Sequence, residues 1–154
     1  MENTPLKRHA ALQPLSREHH FALLLCWKIR KGLQNSVDPE RIGAYVKEMW
    51  KHQLSEHFEL EEKFLYPIIG HQHEYILDAI ADHRLLKWLI LLEPFTTLTL
   101  ARIEKNLASH IRLEERVIFP EIQKVATEEQ LEIVEKVHDV PIQELVWDDP
   151  FWNT

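Results

Sequence analysis

Two segments of this sequence carry nearly the same pattern: residues 57–67, HFELEEKFLYP, and residues 110–120, HIRLEERVIFP. Each begins with a histidine, continues to a pair of adjacent glutamates, and ends in an aromatic residue followed by proline. Positions i and i+4 lie on the same face of an α-helix, so the histidine and the first glutamate of each copy point the same way. The repeat predicts two equivalent helices, as duplication of a helical hairpin would leave them.

Helical spacing of apolar residues, interrupted by prolines and polar loops, predicts five helices. The first is expected to begin after Pro14 with Ser16 as its N-cap. The second is expected to end near Tyr66, because Pro67 disfavours helix at the preceding residue. A capping box at Thr127 opens the fifth. The predicted helices run from after Pro14 to about Leu33, from Pro39 to about Tyr66, from about His73 to Glu93, from about Thr97 to Pro120 or slightly beyond, and from Thr127 to before Pro141.

Four long helices with short connections predict an all-α, up-down-up-down four-helix bundle, followed by a short fifth helix and an aromatic tail. The whole chain is expected to be a single domain, with the bundle core at about 12–125 and the C-terminal helix and tail at 126–154. The tail residues Trp147, Phe151 and Trp152 are expected to pack on the bundle, with a homodimer contact as the alternative.

Composition excludes several classes of function. The formal net charge of −7, with histidines neutral, argues against nucleic-acid binding. The single cysteine, Cys26, cannot form an internal disulfide and is expected to be a small core residue in a reducing compartment. The N-terminus lacks an apolar signal core, and the apolar run at 85–92 is too short to span a bilayer. We therefore expect a cytoplasmic protein with no nucleic-acid or membrane partner.

The apolar stripes of the predicted helices indicate which of the ten histidines face the bundle interior. In the fourth helix, His110 and Glu114 lie within an apolar stripe, and in the second helix His57 and Glu61 do the same. In the third helix a matching stripe contains His83. Three of the four bundle helices therefore direct a histidine inward.

The first helix offers two candidates, because Glu18 is followed by both His19 and His20. The stripe through His19 is apolar along its length, whereas the stripe through His20 turns polar sooner. We therefore predict that His19 faces the interior. An acidic residue also precedes the histidine of the third helix, where Asp82 comes before His83.

Four imidazoles and two carboxylates buried together without partners would be strongly unfavourable. Metal ions remove the difficulty, because they bind neutral imidazole nitrogen and carboxylate oxygen directly. Six ligands are too many for one tetrahedral zinc and suit two larger ions bridged by the two carboxylates. With no thiolate near at hand, iron is favoured and manganese is the second choice. The predicted metal ligands are His19, His57, Glu61, His83, His110 and Glu114.

Four ordered elements, REHH, HFELEEKFLYP, DHR and HIRLEERVIFP, together resemble the hemerythrin-like, or HHE cation-binding, domain over roughly residues 12–125. The resemblance implies a non-heme di-iron site whose ligands are the same six residues. It also implies that Glu61 and Glu114 are the bridging carboxylates.

This sequence departs from oxygen-carrying hemerythrins at two places. Their third helix has two ligating histidines four residues apart, whereas Ala79 and Lys87 flank His83 at those distances here. Their fourth helix has an aspartate five residues after its histidine, whereas here Glu114 is at four and Glu115 occupies the fifth place. The set of four histidines and two carboxylates is more similar to the iron-repair and iron-sensing branches of the family.

The expected function is that of a non-heme di-iron protein that binds or senses a small oxidant or diatomic molecule, such as dioxygen, peroxide or nitric oxide. The alternatives are a di-iron enzyme, either a peroxidase or an oxidase, and an iron-donating repair protein. A third alternative is an interaction protein with a vestigial site. Intact predicted ligands on all four helices argue against that last alternative, and a binding protein is favoured over an enzyme.

Other polar residues near the repeats are expected to lie outside the ligand set. Glu62 and Glu115 are expected to be surface charges paired with neighbours such as Lys63 and Arg116. The histidines expected to be outside the first ligand shell are His20 and His52.

Overall fold

The computed structural model describes residues 7–138 and 143–153, so Pro141 of the expected fifth-helix boundary lies outside the described residues. The described residues form helices and contain no strand, which confirms the all-α prediction. None of the described helices is long and apolar enough to cross a membrane. The five helices are α1, Gln13–Gln34; α2, residues 39–69; α3, Glu74–Leu91; α4, residues 97–125; and α5, Glu128–Val137.

The first four helices form the predicted bundle. Helix α4 packs against both α1 and α3, and α2 packs against α1, α3 and α4. Consecutive long helices with short connections produce this up-down-up-down arrangement. The helix α5 lies after the bundle and contacts the second half of α2.

Helix starts follow local sequence signals with one exception. Asp38 accepts a hydrogen bond from the backbone of Glu40, and the predicted capping box at Thr127 is confirmed. The prediction that Ser16 caps α1 was wrong. The helix α1 already begins at Gln13 with Pro14 in its first turn, where the missing N–H of proline has no helical partner to lose.

Helices α2 and α4 contain wide π-helical turns in the repeated segments, at Glu61–Leu65 and Glu114–Ile118. The prediction that α2 ends near Tyr66 was wrong, because the helix continues to Ile69. The physical reason is that Pro67 falls in the first turn of the segment after the π turn, where a backbone N–H is not needed. The equivalent proline of α4 is accommodated in the same way.

Two apolar clusters form the core, one toward each end of the bundle. The first includes Leu25, Ile29, Leu89 and Phe151, together with the fully buried Ile103. The second includes Leu15, Leu65, Ile76, Phe119 and Ile122. On α1 and α3 the predicted ligand histidine falls between the stretches that belong to the two clusters, and on α2 and α4 the predicted ligand glutamate does so. Cys26 is buried in the first cluster, as predicted for a small core residue.

The aromatic tail packs on the bundle, which confirms that prediction. Phe151 is buried in the first apolar cluster, and Trp147 and Trp152 lie against the ring of Tyr45. Beneath them the buried amine of Lys28 donates to the Tyr45 hydroxyl at 2.9 Å and lies 3.9 Å from the Trp152 ring centroid. A hydrogen bond and an aromatic face together stabilise this buried cation.

Candidate metal centre

Six polar side chains form one layer between the two apolar clusters. Each of them is at most 5% exposed, which is unusual for charged and imidazole groups. Their ligand atoms form two groups, and within each group all atoms lie within 4.8 Å of one another. The groups are His19, His57, Glu61 and Glu114, and Glu61, His83, His110 and Glu114. Both glutamates therefore belong to both groups, and we call the six residues the His–Glu cluster.

Each glutamate of the cluster lies near the histidine of its own helix and the histidine of a second helix. The carboxylate oxygens of Glu61 lie 3.2 Å from Nε2 of His57 and 3.2 Å from Nε2 of His83. Oε1 of Glu114 lies 2.8 Å from Nε2 of His110 and 3.4 Å from Nε2 of His19. Both carboxylates therefore lie between imidazoles of different helices, and the two groups of ligand atoms that could hold a metal ion share them.

Several inward-facing atoms of the cluster lie close to one another, yet among the described residues they form no hydrogen bond of normal geometry. They are Nε2 of His19, Nε2 of His57, both oxygens of Glu61 and Oε1 of Glu114. Buried polar atoms are nearly always paired, because an unpaired one loses its hydration without compensation. Cations between these atoms would satisfy all of them, so the donor set present fits a metal centre.

The pKa shifts within the cluster also indicate that its buried carboxylates need positive charge nearby. Burial and the neighbouring charge of Glu114 raise the pKa of Glu61 to about 8. Burial would raise the pKa of Glu114 as well, but the charge of His110 outweighs it and holds that pKa well below the usual range. The pKa of His110 rises to about 10, because the carboxylates around it outweigh its burial. Protons therefore supply, in the metal-free protein, the positive charge that the two carboxylates need.

A second ring of carboxylates surrounds the cluster, one for each imidazole. Each outer nitrogen, Nδ1, is hydrogen-bonded to an acidic side chain from a neighbouring helix. The pairs are His57 with Glu18 at 2.8 Å, His83 with Glu62 at 3.0 Å, His110 with Asp82 at 3.1 Å, and His19 with Glu115 at 2.7 Å. A carboxylate on Nδ1 makes that nitrogen the N–H donor and leaves the Nε2 lone pair directed inward, toward a metal.

Glu62 and Glu115 lie outside the His–Glu cluster, as expected, but each bonds an imidazole of that cluster, which was not predicted. Glu62 accepts from His83, and Glu115 accepts from His19 and from the guanidinium of Arg8, the latter at 2.9 Å. One helical position after the inner glutamate, the side chain rotates by about 100° toward the adjacent helix. The glutamate pair of each repeat thus contacts one imidazole on its own helix and one on a neighbouring helix, α3 for Glu62 and α1 for Glu115.

The outer carboxylates of α1 and α3 are the acids that precede the single histidines. Glu18 and Asp82 each bond the histidine of the following helix, and this role was not predicted from the sequence. The two Asp/Glu–His dipeptides and the two Glu–Glu pairs were the available signals. His138, at the end of α5, was also missed, and its Nε2 lies 2.5 Å from Oε2 of Glu18.

Two histidines expected to lie outside the first ligand shell are not part of the His–Glu cluster. His20 is exposed. His52 is exposed and bonds Glu48 at 2.8 Å, one turn earlier on the same helix.

The sequence was compared with models of known protein families, with curated proteins and with solved structures. The family model of the hemerythrin HHE cation-binding domain matches residues 10–122 of the chain. The matched range contains all six residues of the His–Glu cluster and all four outer carboxylates. Searches of curated proteins and of solved structures found no match.

Proposed function

The chain belongs to the hemerythrin HHE cation-binding family, and on that premise we propose that its His–Glu cluster holds two iron ions and binds or senses a small oxidant or diatomic molecule. The observation that carries this proposal is the convergence of unpaired buried nitrogen and oxygen atoms in two groups that share Glu61 and Glu114. Such atoms are unfavourable in a folded protein unless a partner compensates for their lost hydration, and a cation among them would do so.

The composition of the cluster supports two ions rather than one. One ion would be held by His19 and His57 and the other by His83 and His110, with both glutamates common to the two. A single tetrahedral zinc would leave two of the six donors unused. Imidazole and carboxylate without thiolate suit iron, and manganese is the second choice.

The protein contributes orientation and exclusion of water. Iron, when bound, supplies reversible redox chemistry and open coordination positions for a small ligand. The outer carboxylates hold the imidazoles with Nε2 inward. The apolar clusters on either side of the layer keep the site dry and strengthen every electrostatic interaction within it.

The third helix bears on which kind of ligand binding is favoured. Ala79 is buried in the second apolar cluster and Lys87 is exposed, so neither position around His83 provides a further imidazole. The set therefore stays at four histidines, and we propose binding or sensing rather than oxygen transport.

Anaerobic reconstitution with ferrous iron, followed by exposure to dioxygen, nitric oxide or peroxide, tests the proposal. We expect about two irons per chain and a new visible absorption band with at least one of these ligands that reverses when the ligand is removed. Rapid irreversible oxidation with turnover of peroxide would instead establish the enzyme alternative. Failure to retain iron, or retained iron that responds to none of the three, would overturn the proposal.

A further inference from the structure

A buried tyrosine lies at the edge of the His–Glu cluster. Tyr66 is fully buried, and its hydroxyl donates a hydrogen bond to Oε2 of Glu114 at 3.0 Å. The hydroxyl oxygen of Tyr66 also lies 3.2 Å from Nε2 of His83. The ring is stacked on the imidazole of His83, with the centroids 5.6 Å apart and an interplanar angle of 26°.

The other copy of the repeat has phenylalanine at the corresponding position. Phe119 stacks on His19 with the centroids 5.2 Å apart and an interplanar angle of 15°, close to the geometry of Tyr66 on His83. The two aromatic residues thus occupy equivalent places in the two halves. They differ by a single oxygen atom, and this oxygen contacts a shared glutamate.

The hydroxyl acts on Glu114 as a donor. A carboxylate oxygen accepts hydrogen bonds and a phenol O–H donates them, so the 3.0 Å contact makes Tyr66 the donor and Oε2 of Glu114 the acceptor. A hydrogen bond accepted by one carboxylate oxygen draws electron density from that oxygen. The carboxylate then stabilises a ferric ion less than it would without the bond.

We propose that Tyr66 is a positioning residue that fixes Glu114 and makes the two metal positions unequal, with the more readily reduced position on the His83–His110 side. The inequality of the metals depends on the proposed function, whereas the hydrogen bond itself does not. In the half that contains His19 and His57, Phe119 has the same stacking but no hydroxyl, so that half lacks this hydrogen-bond donor.

The variant Tyr66→Phe makes the two halves alike at this position and removes one oxygen from a buried site. Phe119→Tyr is the matched control, because it adds the same oxygen in the other half. Helical circular dichroism and thermal unfolding of both variants establish that each one folds.

The first measurement uses the metal-free protein. The ultraviolet resonance Raman spectrum of wild type minus that of Tyr66→Phe isolates the Tyr66 signal from the other two tyrosines. We expect the tyrosine doublet ratio of a strong hydrogen-bond donor. A ratio typical of an accepting or unbonded phenol would overturn the proposal, even if the protein binds iron as proposed.

The second measurement uses iron-loaded protein. In Tyr66→Phe we expect the ratio of ferric to ferrous affinity to rise by about tenfold, the size of one charge-assisted hydrogen bond, so the midpoint potential falls. The Mössbauer quadrupole splittings of the two ferric positions should also move closer together, and the midpoint of Phe119→Tyr should not fall.

An unchanged midpoint and unchanged splittings in Tyr66→Phe, with two irons still bound, would overturn the proposal. So would a tyrosinate-to-ferric absorption band in the wild type that is lost in Tyr66→Phe, because it would make Tyr66 a direct ligand. Fewer than two irons in the wild type would refute the proposed function instead, and the Raman result on the metal-free protein would stand.

Discussion

The half of the cluster containing His19 and His57 and the half containing His83 and His110 have the same inner pattern but different surroundings. In the first half each outer carboxylate has a second partner besides its imidazole. The side chain of Glu115 is 28% exposed and is bonded by Arg8 as well as by His19. The side chain of Glu18 is 6% exposed and is bonded by His138 as well as by His57.

In the second half the outer carboxylates lie nearer to water. The side chain of Asp82 is 31% exposed and that of Glu62 is 42% exposed. Each makes its hydrogen bond to a single imidazole, His110 and His83 respectively. The internal repeat therefore specifies what the halves share, while the N-terminal residues and α5, which lie outside the repeat, make the halves different.

The largest expected effect comes from the part that both halves share. Glu61→Gln and Glu114→Gln should each reduce affinity for both ions by about 100-fold or more, because a neutral amide is a poorer ligand and one carboxylate serves two cations. Metal content after dialysis measures the loss. Glu59→Gln, on the exposed face of the same helix, is the matched control and should retain both ions. Loss of a single ion from Glu61→Gln would show that this carboxylate is not shared.

A smaller effect should distinguish the two halves. Glu18→Gln should reduce metal affinity by about 100-fold and Asp82→Asn by about 10-fold, the two ends of the range for carboxylates that support ligating histidines. The difference arises because the interaction of Glu18 is buried and that of Asp82 is partly screened by water. Competition titrations with a chelator measure both. Equal losses, or a greater loss in Asp82→Asn, would contradict the comparison.

The pH dependence of the metal-free protein should reveal the opposite pKa shifts of the two inner carboxylates. The raised pKa values of Glu61, about 8, and His110, about 10, mean that the folded protein holds protons that the unfolded chain releases. The free energy of unfolding should therefore fall as the pH rises from about 5 to about 10. The lowered pKa of Glu114 stabilises the fold above its unfolded pKa, and this contribution is lost on acidification below about pH 4.5.

Thermal unfolding of metal-free protein between pH 3 and 10 checks this profile, which should have its maximum near pH 5. The variant Glu61→Gln should show a shallower decline between pH 5 and 8. Iron-loaded protein should behave differently, because acid protonates the ligating imidazoles and releases metal. Metal-free protein that becomes more stable from pH 5 to 9 would be inconsistent with the pKa shifts.

The smallest expected effect concerns Arg8, the N-terminal residue that pairs with Glu115 in the first half. Arg8→Ala removes a partly exposed ion pair with Glu115 and should lower the free energy of unfolding by about 0.5 kcal/mol. Metal affinity should fall only a few-fold, since Glu115 still accepts from His19. Arg30→Ala, which breaks a pair with Glu104 far along the bundle, is the control for stability alone. An identical effect of both variants on metal affinity would show that Arg8 does not act through Glu115.

The sequence predicts the helices and the inward-facing residues because both follow from periodicity within one helix. A stripe of apolar residues containing His110 and Glu114 is enough to place those two side chains in the interior. The passage of α2 through Pro67 could not be predicted in this way. The rule for proline assumes α-helical hydrogen bonding, and the π turn at Glu61–Leu65 changes it.

The outer carboxylates were missed because they depend on how helices pack against each other. Glu62 lies beside the inner stripe of α2, and only the position of α3 makes it a partner of His83. The contact of His138 with Glu18 joins the two ends of the chain and leaves no local pattern. Repetition of the acidic residues in both copies was nevertheless a signal that a single surface charge would not produce.

Metal stoichiometry of iron-reconstituted protein tests the central claim most directly. Elemental analysis against protein concentration, after removal of loosely bound metal, should give about two irons per chain, and Mössbauer spectroscopy of the oxidised protein should show two ferric positions in equal amounts. The six donors in two groups that share Glu61 and Glu114 predict this result. One metal or none per chain after full reconstitution would contradict it.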